Sequence, residues 1–417
     1  MNLKIKKISI LDTLSWILGF VLGFIPTGLI PGVIGISPLI LLLMIGLKLL
    51  SLGSSRNFQI RRYEASFISM LLICLLLIYL GFTLASLKYY NFNAFNYFSV
   101  NFQYLYSMLI FPLVIYLVFY SKSNIIIKGY ITGIIFLMIF SYLVYLLLGY
   151  DGARALDWVQ TNGRLTLWMG ANTLCMHFVL GILIVLIQVI DIDARYKFLK
   201  IAFYFLFMLI PVMLTGSIGG LLILFLSSSF LVFLRFPKLS LLNLPIIFAA
   251  ITLLGYYLLN YTDIQTVQRY VALFSGDIQA VGSYSDRQEG ILLGFEIISQ
   301  DSYIGVGAGE AYGVMNQMVG FKTIPHNSLV MLWLEGGILA LLGGILWFLF
   351  FLGWVLINFK SRQIIYIFSI LFAIALYWMT RTLAYQIFLY APLFILLSLY
   401  NSKNTNINKI SKLNLST

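Results

Sequence analysis

The chain alternates long apolar runs with short polar breaks. The runs fall near 9–25, 28–50, 66–87, 100–120, 124–149, 166–190, 197–214, 217–235, 242–260, 327–358, 363–380 and 383–400. Each has about the 20 residues a helix needs to cross a bilayer. The pattern predicts an all-α integral membrane protein with about twelve transmembrane helices, forming one polytopic domain over residues 1–417. The run at 327–358 exceeds one crossing, which predicts a tilted helix or one that starts above the membrane. No internal repeat or low-complexity linker interrupts the series. The Asn- and Lys-rich tail from Asn401 to Thr417 reads as a disordered cytoplasmic end.

Two loops break the rhythm. Tyr150–Leu165 carries Asp151, Arg154, Asp157 and Arg164. A second, extracytoplasmic loop spans residues 261–326, before the tenth helix. Within it Ser285-Asp286-Arg287 can cap a helix running to about Gln300. Arg287, Ile291, Gly294 and Ile298 share one face of that helix, and Glu289, Glu296 and Gln300 share another. This predicts an amphipathic helix on the membrane surface. Asp301–Gly313 then holds four glycines and reads as turns.

Charge adds an orientation. Hydrophobic residues make up 61% of the chain and charged residues 10%, with a mean hydropathy of +0.98. The net charge is +12. With both termini cytoplasmic, 19 of the 26 basic residues lie on the inner side, as the positive-inside rule requires. The charge is thus a topology signal, and no nucleic-acid partner is expected. Met1–Lys7 and the run after it lack a small-residue cleavage site, so they read as an uncleaved first helix. Cys74 and Cys175 both fall inside runs and imply no disulfide. The tract from Tyr89-Tyr90-Asn91-Phe92 to Tyr97-Phe98 reads as an interfacial aromatic belt.

Candidate chemistry gathers outside. Five of the seven outward basic residues are arginines: Arg154, Arg164, Arg269, Arg287 and Arg381. Arginine stays charged and grips phosphate through a planar fork. His326, one of two histidines, ends the long loop just before an apolar helix. It is placed for proton transfer near neutral pH. His177 lies mid-run and reads as a packing residue. Glu335 sits inside the tenth run, where a carboxylate is costly. It reads as a partner for an arginine or for backbone groups, or as part of a site. Gly305, Gly307 and Gly309 lack nucleotide-loop spacing and read as a tight turn. Asp191-Ile192-Asp193 is on the opposite side from His326, so no metal centre is expected, and no cofactor.

These residues together resemble the bacterial O-antigen polymerase and O-antigen ligase superfamily. Gly163-Arg164 with Gly170-Ala171-Asn172 is similar to the family's G-R…G-N-x-N segment. Arg287…Asp301-Ser302-Tyr303-Ile304-Gly305-Val306-Gly307 resembles its R…P-x-x-G-x-G segment, without the proline. His326-Asn327-Ser328-Leu329…Glu335-Gly336-Gly337-Ile338 resembles its H-N-x-x-L…E-x-G-I. Thr215-Gly216-Ser217-Ile218-Gly219 is similar to T-G-S-R-G, with Ile218 in place of the arginine. The resemblance implies a GT-C-like, metal-independent inverting glycosyltransferase in the bacterial inner membrane. Its donor would be an oligosaccharide on undecaprenyl pyrophosphate, bound at the outer face beside membrane lipid. His326, Arg287 and Arg164 would be catalytic. Arg269, Arg381, Asn327, Asn172 and Glu335 would bind substrate. A glycan would be the acceptor, and a chain-length regulator protein a further partner. The implied activity is polymerisation of repeat units. The alternatives are ligation to lipid A core and, from another class, a lipid-linked oligosaccharide flippase.

Overall fold

The computed structural model describes residues 9–24, 40, 43–47, 62–88, 94–115, 122–156, 158–160, 164–191, 197–236, 283–300, 303–319, 324–358, 361–381 and 389–400. The expected span at 242–260 lies outside these residues, as does most of the one at 28–50. Arg269, Lys322, Asp157 and Gly163 also lie outside them.

The described elements are helices: α1 (Ile10–Phe24), α2 (Arg62–Lys88), α3 (Ala94–Leu105), α4 (Ser123–Leu143), α5 (Gly149–Ala155), α6 (Ala171–Asp191), α7 (Lys197–Leu214), α8 (Ile218–Arg235), α9 (Ser283–Gln300), α10 (Ala311–Val319), α11 (Ser328–Ile357), α12 (Arg362–Thr380) and α13 (Leu389–Tyr400). The β pairing among the described residues is one antiparallel bridge, Val159 with Leu165. Among the described residues, six helices are long and apolar enough to cross a membrane: α2, α4, α6, α8, α11 and α12. The chain is an all-α membrane protein.

Between lipid-embedded helices there is little hydrophobic drive, so close backbone packing through small residues matters. Gly19 and Gly23 of α1 face Gly129 and Gly133 of α4. A β-carbon at any of the four would run into a backbone carbonyl of the other helix. Contacts advance in the same direction along both chains, so the pair is parallel. Lys122 beside Asp12 closes its starting end.

The pair α2 and α11 is antiparallel. Gly81 abuts Gly336 and Ala340, and Gly343 abuts the carbonyl of Cys74. Here α11 is not continuous. Gly337 has φ +65° and ψ −164°, outside helical geometry and suited to glycine. The segment from Tyr303 to Gly307 enters the break. Val306 and Gly307 donate to the carbonyls of Leu334 and Glu335 (2.8 and 3.0 Å), and Ile338 donates to Tyr303 (3.0 Å). Backbone groups freed by the break must find protein partners at membrane depth. The three glycines expected to form a tight turn all have positive φ. What they build is the insert that fills this gap.

At the centre, α6 packs against α4, α7, α8 and α12, and is almost wholly buried. His177 of α6 reaches the carbonyl of Gly23 through Nε2 (2.7 Å) and meets Tyr130 edge-on. Its place is structural.

Candidate functional site

Helix ends meet on one side of this bundle. Arg164 precedes α6, Thr215 joins α7 to α8, His326 and Asn327 precede α11, and Arg381 follows α12. Their hydrogen bonds tie these ends together.

Arg164 sits beside an antiparallel bridge. Val159 pairs with Leu165, and Gln160 donates to the carbonyl of Arg164 (2.9 Å). The Arg164 guanidinium donates from Nε to the carbonyl of Thr215 (2.9 Å) and from Nη2 to Oδ1 of Asn172 (2.7 Å). Alongside, Leu165 donates to the carbonyl of Leu214 (2.9 Å). Two sequence motifs about fifty residues apart are thus one structural unit. Ile218 opens α8, and Ser217 caps that helix by accepting from the backbone of Gly220.

Arg381 anchors the second half. Ser328 donates from its hydroxyl to the Arg381 carbonyl, and Asn327 donates from Nδ2 to the Met379 carbonyl (3.3 Å). The Asn327 oxygen accepts from the backbone of Leu329 and Val330 (2.9 and 3.1 Å) and so caps α11. His326 is therefore fixed beside the end of α12. The Asn327 amide, expected at a substrate, is engaged with backbone on both sides.

Arg381 is 6% exposed. Burial first, then the charge of Arg287 and, more weakly, that of Arg164, push its pKa down to about 9. It remains a cation at neutral pH. Arg287 and Arg164 are therefore each close enough to Arg381 to oppose its charge, and among the described residues no carboxylate acts on it. Cys175 lies in the same field and bonds to Thr215 and Ser217.

Arg287 is brought in by α9. The expected helix to Gln300 forms, and the face bearing Ile291, Gly294 and Ile298 is as foreseen. That face does not lie on a membrane surface. Gly294 abuts Val330 and Pro325, and Ile297 and Ile298 pack with Val330, Leu334 and Met315. The helix turns its apolar side to α11, and this carries Arg287 inward. Leu292 and Phe295 stay exposed on its other side.

Glu335 is buried in α11, with its carboxylate on the backbone N–H groups of Gly309 and Ala311. It caps the start of α10 and holds the inserted segment, while Ala308 donates to Ser86 (3.3 Å) on the far side. Glu335 is thus a partner of backbone, one of the three roles its sequence position suggested. Arg154 lies exposed in α5. Among the described residues no three of His, Cys, Asp and Glu come together.

Compared with known proteins, the chain matches no protein-family model and no curated protein. A site where several guanidinium groups gather beside a histidine, one of them buried, can hold a multiply charged anion and act on a group attached to it.

Sequence reasoning missed two features. The small-residue spacing Gly19-x-x-x-Gly23 against Gly129-x-x-x-Gly133 was visible as a motif. The α11 break had a signal in Gly336-Gly337, which lies in a run otherwise good for helix.

Proposed function

We propose that the protein is a glycosyltransferase of the bacterial inner membrane. It joins oligosaccharide units carried on undecaprenyl pyrophosphate into a surface polysaccharide. One observation carries this reading: three arginines from distant parts of the chain converge beside the His326 segment, at the end of a membrane-embedded bundle. A lipid-linked pyrophosphate is an anion whose tail belongs in the bilayer and whose sugar belongs in water.

In the proposed reaction His326 accepts the proton of an acceptor hydroxyl. The oxygen attacks the anomeric carbon of the donor from the face opposite the pyrophosphate. The carbon–oxygen bond to pyrophosphate breaks, and the electron pair leaves with undecaprenyl pyrophosphate. Configuration at the anomeric carbon inverts. Guanidinium groups of the site stabilise the charge that grows on the leaving group. The loop helix α9, which brings Arg287, would gate donor access.

The test is polysaccharide length on a gel, from a deletion strain complemented with wild type, His326→Ala or Arg287→Ala at equal membrane levels. Polymerase function predicts single repeat units from both variants. Normal polymers that never reach lipid A core would indicate a ligase. Normal polymers on lipid A core from His326→Ala would overturn the catalytic assignment and favour a flippase.

A further inference from the structure

Resting on the reading above, we propose that Arg381 is the principal phosphate ligand of the donor, and that Arg164 is a positioning residue. The resemblance in sequence implies the reverse emphasis, with Arg164 and Arg287 at the phosphates.

The two guanidinium groups are used differently. Arg164 directs Nε and Nη2 at neutral acceptors of the protein, the Thr215 carbonyl and the Asn172 side chain. These bonds join the start of α6 to the α7–α8 turn, so the planar fork is spent on holding segments together. Arg381 is more deeply buried, and its guanidinium makes no hydrogen bond or ion pair with a described residue. Its backbone, in contrast, is fixed by Ser328.

A buried cation beside like charges is unfavourable, and an arginine does not relieve this by losing its proton. An anion relieves it. Phosphate suits the guanidinium fork, and a diphosphate can meet Arg381 and Arg287 together. The tie from Ser328 to Arg381 then sets the distance between the leaving group and His326. Arg164 acts on this geometry through Thr215 and Asn172.

The experiment uses the full chain in nanodiscs, with undecaprenyl pyrophosphate as the probe and undecaprenyl monophosphate as its comparison. Binding and thermal unfolding are measured for wild type, Arg381→Gln, Arg381→Lys and Arg164→Gln. Loss of charge-assisted bonds predicts that Arg381→Gln weakens pyrophosphate binding at least about tenfold. The ligand-free variant unfolds no lower than wild type, because an uncompensated buried charge is gone. Arg381→Lys recovers part of the binding. Arg164→Gln lowers the unfolding temperature. The proposal is overturned if Arg381→Gln binds like wild type, or if Arg164→Gln loses binding with an unchanged unfolding temperature. If wild type binds no pyrophosphate lipid, the glycosyl-transfer reading itself falls, which is a separate result.

Discussion

The seam between α1 and α4 and the seam between α2 and α11 are both built on glycines, yet the glycines do different work. In the first, both helices run unbroken and each backbone bond stays within its helix. The glycines are spacers that let two backbones touch. In the second, Gly337 leaves helical geometry, and the freed carbonyls of Leu334 and Glu335 are met by Val306 and Gly307. There the glycine is a junction, and two segments distant in sequence become one unit. The first seam holds the bundle. The α11 of the second seam also starts at Asn327 and Ser328, which bond to the end of α12.

Four substitutions sharpen the contrast. Gly337→Ala should have the largest effect. Its β-carbon would strike the Ile304 carbonyl while its backbone keeps a conformation that disfavours side chains. A loss of about 3 kcal/mol is expected, read as a collapse of monodisperse protein in detergent. Gly23→Leu should cost about 2 kcal/mol by overpacking α1 against α4. Membrane levels should fall while activity per molecule is kept, and a loss of specific activity would erase the distinction between the seams.

Glu335→Gln replaces one of the two carboxyl oxygens that face the N–H groups of Gly309 and Ala311 with an amide NH2, which cannot accept. It should cost about 1.5 kcal/mol, and hydrogen exchange should quicken at 305–311 before it does elsewhere. Asn327→Ala removes the α11 cap and should cost about 1 kcal/mol. It also cuts the bond to Met379, so polysaccharide length should shorten more than the small stability change alone would give.

The membrane helices were legible because lipid imposes one rule, a long apolar run closed by polar residues. Ser123–Leu143, Ile218–Arg235 and Arg362–Thr380 begin and end close to where their runs do. The break in α11 was not legible as a break, since residues 328–357 are apolar apart from Ser328 and Glu335 and glycine is common in membrane helices. The face of α9 was legible, but not what it meets. Periodicity records an apolar stripe and does not say whether lipid or another helix covers it. The site residues came from separate motifs, and their meeting depends on long-range bonds such as Arg164 to Thr215. Which arginine is already bonded, and which is not, is a matter of geometry that residue type leaves open.

The central claim is that the arginine-lined end beside His326 transfers glycans from a lipid pyrophosphate. The direct measurement supplies purified protein in nanodiscs with the host's own lipid-linked repeat unit, and follows glycan length and free undecaprenyl pyrophosphate by mass spectrometry. The account predicts longer lipid-linked glycans from wild type and from His177→Asn, one pyrophosphate lipid released per bond formed, and neither product from folded His326→Ala. Glycan growth in His326→Ala equal to wild type, or none in wild type, would contradict it.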